Sequence, residues 1–259
     1  DLHSTSRRQR QMCIRDSTYT YDNASVRGKR NPIWWQTTVA SAGNLTSAVY
    51  RIFGKPFSEE GKKLFGVPFA QFLKLNSEFR YHYRIDKNQM IASRIAGGVI
   101  WSYGNATTAP YTEQFYIGGA NSVRAFSARS IGPGGYPPET DRKYTYINHV
   151  GDIRIEANIE YRFRMIADLH GAVFLDAGNV WLMRKDENRP NGEFTLKNFP
   201  KQIALGTGFG LRYDLDFLVF RLDLGIGLHD PYDTGKSGYY NIPKFKDSMA
   251  LHFAIGYPF

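Results

Sequence analysis

The sequence predicts an all-β fold, an antiparallel transmembrane β-barrel with a polar lumen and an apolar exterior. Three observations predict it. Apolar and polar residues alternate with a period of two along most of the chain. The alternating segments run about eleven to fifteen residues, longer than the strands of soluble sheets and near the length of a tilted strand crossing a bilayer. Short turns alternate with long connections, as they do between the periplasmic and extracellular faces of outer-membrane barrels.

The opening seventeen residues, DLHSTSRRQRQMCIRDS, do not alternate and contain no apolar core of a signal peptide. The run RRQRQMCIRDS resembles translated adapter sequence, so residues 1–17 are expected to be a non-native or disordered leader, and residues 18–259 the barrel portion. Nine strands are expected there, over 19–26, 32–42, 70–85, 89–104, 152–165, 169–181, 202–214, 217–229 and 248–259. The segment 152–165 shows the pattern best. Arg154, Glu156, Asn158, Glu160 and Arg162 point one way, while Ile153, Ile155, Ala157, Ile159 and Tyr161 point the other. On a helix the same residues would spread charge around the whole circumference. No segment reads as a sustained amphipathic helix. Aromatics near strand ends (Trp101, Tyr103, Trp181, Tyr213, Tyr257 and Phe259) are expected to form interfacial girdles. The connection 105–150 is the longest, and loops of that size are functional or disordered.

No run of eighteen apolar residues exists, so no helix is expected to cross a membrane. A barrel needs none, because alternation keeps the mean hydropathy of each strand near neutral. The net charge is +9, yet no basic helix or ribonucleoprotein motif accompanies it, so no nucleic acid partner is expected. Cys13 is a lone thiol and defines neither a disulfide framework nor a metal cluster. His82, His149, His170, His229 and His252 lack ligand spacing. Ser122 sits in no nucleophile elbow, and Glu156 with Glu160 reads as alternating lumen charge. No catalytic residue, metal or cofactor is expected.

Three stretches carry a resemblance. They are 118-GGANSVRAF-126, 173-VFLDAGNVW-181 and the alternating end 253-FAIGYPF-259. Together, and in this order, they resemble the bacterial surface antigen superfamily, the BamA/TamA-like outer-membrane assembly barrels. Ala125 stands where the family usually has the glycine of V-R-G-F, which makes this a TamA-like variant. The resemblance implies a C-terminal portion, nine strands of a barrel of about sixteen, with further strands and periplasmic POTRA repeats upstream. Such a portion would leave two open edges in a medium that tolerates none. The resemblance further implies a non-enzymatic factor of the bacterial outer membrane that assembles, inserts or translocates proteins. Its partners would be outer-membrane lipid, client β-barrel proteins, accessory lipoproteins and periplasmic chaperones. A passive pore and a two-partner secretion transporter stay open as alternatives.

The resemblance also implies that the long loop folds inward and plants its arginine on the barrel wall. The latch motif would comprise Gly118, Gly119, Val123, Arg124 and Phe126, with Phe174, Gly178 and Trp181 as the barrel signature. An arginine removed from bulk water needs carboxylates and hydrogen-bond acceptors. Asp176 is the expected principal partner, with Glu160 and Glu156 on the neighbouring strand as further acceptors. The residues alone leave a second reading open, a solvated loop arginine and an ordinary aspartate. At the end of the chain, Gly256 and Pro258 weaken the last strand, since proline cannot donate to a ladder and glycine packs nothing. With Phe259 they form the expected C-terminal seam, which in the family opens sideways towards lipid. Simple fraying of a chain end is the alternative.

Overall fold

A computed structural model of the chain describes residues 15–24, 30–57, 61–64, 66–137, 149–215 and 217–259. Its main body is a nine-stranded antiparallel sheet built from β1 (Arg15–Asp22), β2 (Ile33–Ala42), β5 (Phe72–Arg84), β6 (Gln89–Ser102), β7 (Ile153–Ile166), β8 (Leu169–Trp181), β9 (Ala204–Asp214), β10 (Val219–His229) and β11 (Met249–Ile255). Each of these strands pairs with the next in that order, so the sheet is a meander with β1 and β11 at its edges. A small hairpin, β3 (Lys63–Leu64) with β4 (Val67–Pro68), and a helix, α1 (Asn44–Ile52), lie in the connection between β2 and β5.

The period-two pattern sets the two faces of the sheet. Along β7, Glu156, Asn158, Glu160 and Arg162 point inward and are buried, while Ile159 between them is exposed. Along β10, Arg221 and Asp223 are buried while Phe220 and Leu222 face out. The charged face is therefore the covered one, and the greasy face is the outer surface. Ile95, Ile159, Leu251 and Phe253 are each more than half exposed. An apolar band of that extent is unstable in water and suits hydrocarbon.

The lumen face is not wet where the loop lies on it. Ala106, Ala109, Phe115, Ile117, Val123 and Ile131 of the long loop pack with Phe72, Ile100, Val180 and Ala204 of the wall into one apolar cluster. The loop enters through a bridge in which Phe115 and Gly151 exchange N–H···O bonds of 2.9 Å. Gly98 makes room there, because a Cβ at that position would overlap the Phe115 ring. Residues 138–148 of the loop lie outside the described residues.

Several expectations are corrected. The last strand does not alternate to the chain end: its ladder with β10 stops at Ile255, and Gly256, at φ +83°, turns the chain inward. Phe259 is consequently buried rather than part of an aromatic girdle. Trp181 is likewise fully buried, covered by Phe194 at 5.5 Å and Phe199 at 5.4 Å from the following loop. Helix α1 was not expected from the sequence, being only nine residues long between two strands. Strand β1 starts at Arg15, so the last three residues of the expected leader pair with β2, while residues 1–14 lie outside the described residues.

Candidate functional site

The stretch 118–126 forms a tight knuckle. Gly118 and Gly119 take φ values of +104° and +94°, which side-chain-bearing residues rarely adopt. The Gly119 N–H donates to the Phe126 carbonyl at 2.8 Å, and the Phe126 N–H donates to Val123 at 3.1 Å. This closure pushes Val123 and Arg124 onto the wall, where neither retains any exposed surface.

Arg124 meets Asp176 three times. Its Nε lies 2.8 Å from Asp176 Oδ2, its Nη2 lies 2.9 Å from Oδ1, and its own main-chain N–H donates to Oδ2 at 3.0 Å. Its Nη1 donates to Glu160 Oε2. The guanidinium also stacks over Phe174, 3.6 Å from the ring centroid. Burial pushes the Arg124 pKa down, but the hydrogen bonds and charge of Asp176, and then Glu160, more than offset this, and the net direction is up. The guanidinium is therefore charged, as arginine is in proteins generally. Asp176 is held in place by Asn158 Nδ2, which donates to Oδ1 at 2.8 Å.

The carboxylates extend this contact into a network across four strands. Glu160 Oε1 accepts from Arg162 Nε at 2.8 Å and Arg212 Nη2 at 3.2 Å. Arg212 Nη1 reaches Asp223 Oδ1 at 2.6 Å, and Arg221 Nη1 lies 3.3 Å from Asp223 Oδ2. Arg221 in turn donates to the Ala120 carbonyl of the knuckle at 2.9 Å. Buried charges of this kind are tolerable only when paired and hydrogen-bonded. Glu156, expected as a third acceptor for Arg124, instead pairs with Arg94, which also donates to the Asn121 carbonyl at 3.0 Å. Glu156 sits one step up the strand from the residues that Arg124 reaches, opposite Gly178 in the β7–β8 ladder.

Residues that the motifs did not single out complete the seat. A Cβ at Gly225 would overlap the Arg124 carbonyl, and one at Gly206 would overlap Ala125. These wall glycines let the loop backbone approach the strands closely. Their signal in the sequence was glycine recurring on the polar face of 202–214 and 217–229. Ala125 rests directly against the wall at Gly206, so the methyl group is accommodated by the wall glycine. His252 Nε2 donates to the Arg124 carbonyl at 2.9 Å, which ties the last strand to the knuckle.

The other motif residues are distributed around this seat. Gly178 is a close-approach position, since a Cβ there would lie 2.8 Å from the Ile155 carbonyl. Trp181 donates from Nε1 to Gln202 Oε1 at 2.9 Å and belongs to the rim, away from Arg124. Pro258 and Phe259 fold back across the lumen. The Phe259 carbonyl accepts from Arg162 Nη2 at 3.2 Å, and its ring lies 5.5 Å from the Arg94 guanidinium.

A meander with a lipid-facing exterior, its charged face occupied by its own loop, defines a portion of an outer-membrane β-barrel with an internal loop. The chain belongs to the Omp85 superfamily: the family model described as the Omp85 superfamily domain matches residues 63–259. Among curated relatives, it is 28% identical over 204 residues to "Outer membrane protein assembly factor BamA" of Nitratidesulfovibrio vulgaris, covering 77% of this chain and 22% of that protein. Among solved structures, it is similar to BamA from Haemophilus ducreyi lacking POTRA domains 1–3, with a TM-score of 0.58 at 14% identity over 93% of this chain and 42% of that one. The chain thus spans about a fifth of the curated relative's length and less than half of the solved chain. It is a protein of the bacterial outer membrane.

Proposed function

We propose that the chain is the client-handling part of an outer-membrane factor that assembles, inserts or translocates other proteins through a weak lateral seam. The observation that carries this reading is the state of β11. It is the shortest strand of the large sheet at seven residues, and it leaves the ladder at Gly256. A short strand with few ladder bonds is the place where an incoming strand can add by main-chain hydrogen bonds.

The Arg124 network gives that seam a firm backing. Behind it, β7 to β10 are braced by buried ion pairs to the knuckle, whereas β11 reaches the knuckle through a His252 hydrogen bond to the Arg124 carbonyl, so opening is easier on the β11 side. No nucleotide is required, because client folding and burial of its apolar face in lipid supply the driving force. Client outer-membrane β-barrel proteins are the substrates on this reading, with accessory lipoproteins or periplasmic chaperones delivering them.

The apolar cluster that fills the inside beside Phe72 and Val180 argues against a passive pore, and the likeness to an outer membrane protein assembly factor favours assembly over two-partner secretion. The test is a disulfide between β11 and the first strand of the intact barrel. The reading expects client insertion to stop on oxidation and resume on reduction. Insertion that continues through the cross-linked seam would overturn it.

A further inference from the structure

Helix α1 carries a surface that the loop latch and the seam do not use. It begins after Gly43, whose φ of 72° turns the chain out of β2, and its inner side is tied down by polar contacts. Ser47 Oγ donates to Gln71 Oε1 at 2.9 Å, and Asn44 Oδ1 accepts from Gln71 Nε2 at 3.2 Å and from the Tyr103 hydroxyl at 2.8 Å. Tyr50 stacks on Phe69 at 6.3 Å. Gln71 and Tyr103 are the next residues of the lipid-facing rows that run through Leu73 and Trp101, which pair with each other in the β5–β6 ladder. The helix therefore covers the outer wall at the rim, on the side of the long connections, which is the extracellular side of an outer-membrane barrel.

Its other side is bare and apolar. Leu45 is 70% exposed, Ile52 82% and Phe53 79%, with Val49 between them. The spacing i, i+4, i+7, i+8 puts these four on one helical face. They are more exposed than the lipid-facing Leu73 just below them on the wall. The charges nearest the helix are basic: Arg51 ends it and Lys55 follows, ahead of Glu59 and Glu60 in the sequence.

We propose that α1 is an interfacial helix that lies on the outer leaflet, with Leu45, Val49, Ile52 and Phe53 among the acyl chains and Arg51 and Lys55 on anionic headgroups. The occupant is the lipid bilayer itself, because the helix sits on Gln71 and Tyr103, two residues along the chain from the lipid-facing Leu73 and Trp101, and the basic residues match headgroup phosphate. Such a helix would anchor the rim beside β2 and β5 in the plane of the membrane.

The experiment uses the intact protein with its cysteines replaced by serine. Single cysteines at Ile52, Leu73 and Glu187 are labelled with an environment-sensitive fluorophore, and the protein is placed in vesicles of brominated phosphatidylglycerol or brominated phosphatidylcholine. The proposal expects the Ile52 label to lose emission to the brominated chains as strongly as the Leu73 label, while the exposed loop label at Glu187 does not. In the R51E/K55E variant the Ile52 label should be quenched less in phosphatidylglycerol and equally in phosphatidylcholine. An Ile52 label quenched no more than Glu187 would overturn the proposal, and so would equal quenching of parent and variant in both lipids.

Discussion

Asp176 receives both the side chain and the main-chain N–H of Arg124, at 2.8, 2.9 and 3.0 Å. The aspartate therefore recognises the backbone course of the knuckle as well as its charge. Among the anchors of the long loop, this one is the fully buried charge, held by a carboxylate on β8.

Lysine should not replace this arginine. In R124K the charge survives, but the two-pronged contact with Asp176 and the reach to Glu160 cannot both be kept. We expect a loss of about 1–3 kcal/mol in urea unfolding of the intact barrel, with faster proteolysis of loop 105–137. Wild-type stability of R124K would refute the geometric role.

Glu160 and Glu156 should behave differently. Glu160 holds Arg124, Arg162 and Arg212 together, whereas Glu156 holds Arg94. E160Q is expected to cost about 3–5 kcal/mol, the range for breaking a buried pair. E156Q should leave the Arg124–Asp176 contact in place and the knuckle protected from hydrogen exchange. Equal deprotection of the knuckle in both variants would contradict this assignment.

The wall glycines give a steric test. G225A puts a methyl group into the Arg124 carbonyl and should destabilise by about 1–3 kcal/mol. G227A places its methyl 3.4 Å from Ile242 Cδ1, ordinary contact, and should be far milder. The two melting curves decide, and a reversed order would show that the loop is not seated on Gly225.

His252 links the last strand to the knuckle through the Arg124 carbonyl. H252A should cost about 1 kcal/mol, and its effect should be local. Hydrogen exchange is expected to rise along β11 while β8 stays protected. Uniform exchange across the sheet would argue against a seam that opens on one side.

Much of the sheet was legible because alternation is a direct image of a two-sided strand. The β8 bounds, Leu169–Trp181, follow from alternation flanked by short and long connections. Arg124 could be paired with a carboxylate from the cost of burying a charge, but its choice of Glu160 over Glu156 depends on ladder register, which no local pattern encodes. The end of β11 was misread because residues 256–259 keep the alternation while Gly256 breaks the backbone course. Trp181 and Phe259 were misplaced for a related reason: rim loops and chain ends cover residues that parity alone assigns to lipid. Helix α1 was legible in principle from Leu45, Val49, Ile52 and Phe53, but a nine-residue helix between strands is a weak periodic signal.

The most direct test of the account is a double-mutant cycle between Arg124 and Asp176 in the intact barrel, read by urea unfolding of R124A, D176A and the double variant. The account predicts strong coupling: each single change costs about 3–5 kcal/mol, and the second adds little once the first is made. Additive costs, within about 0.5 kcal/mol, would contradict it, because the two residues would then stabilise the barrel independently and the loop would not be held through this pair.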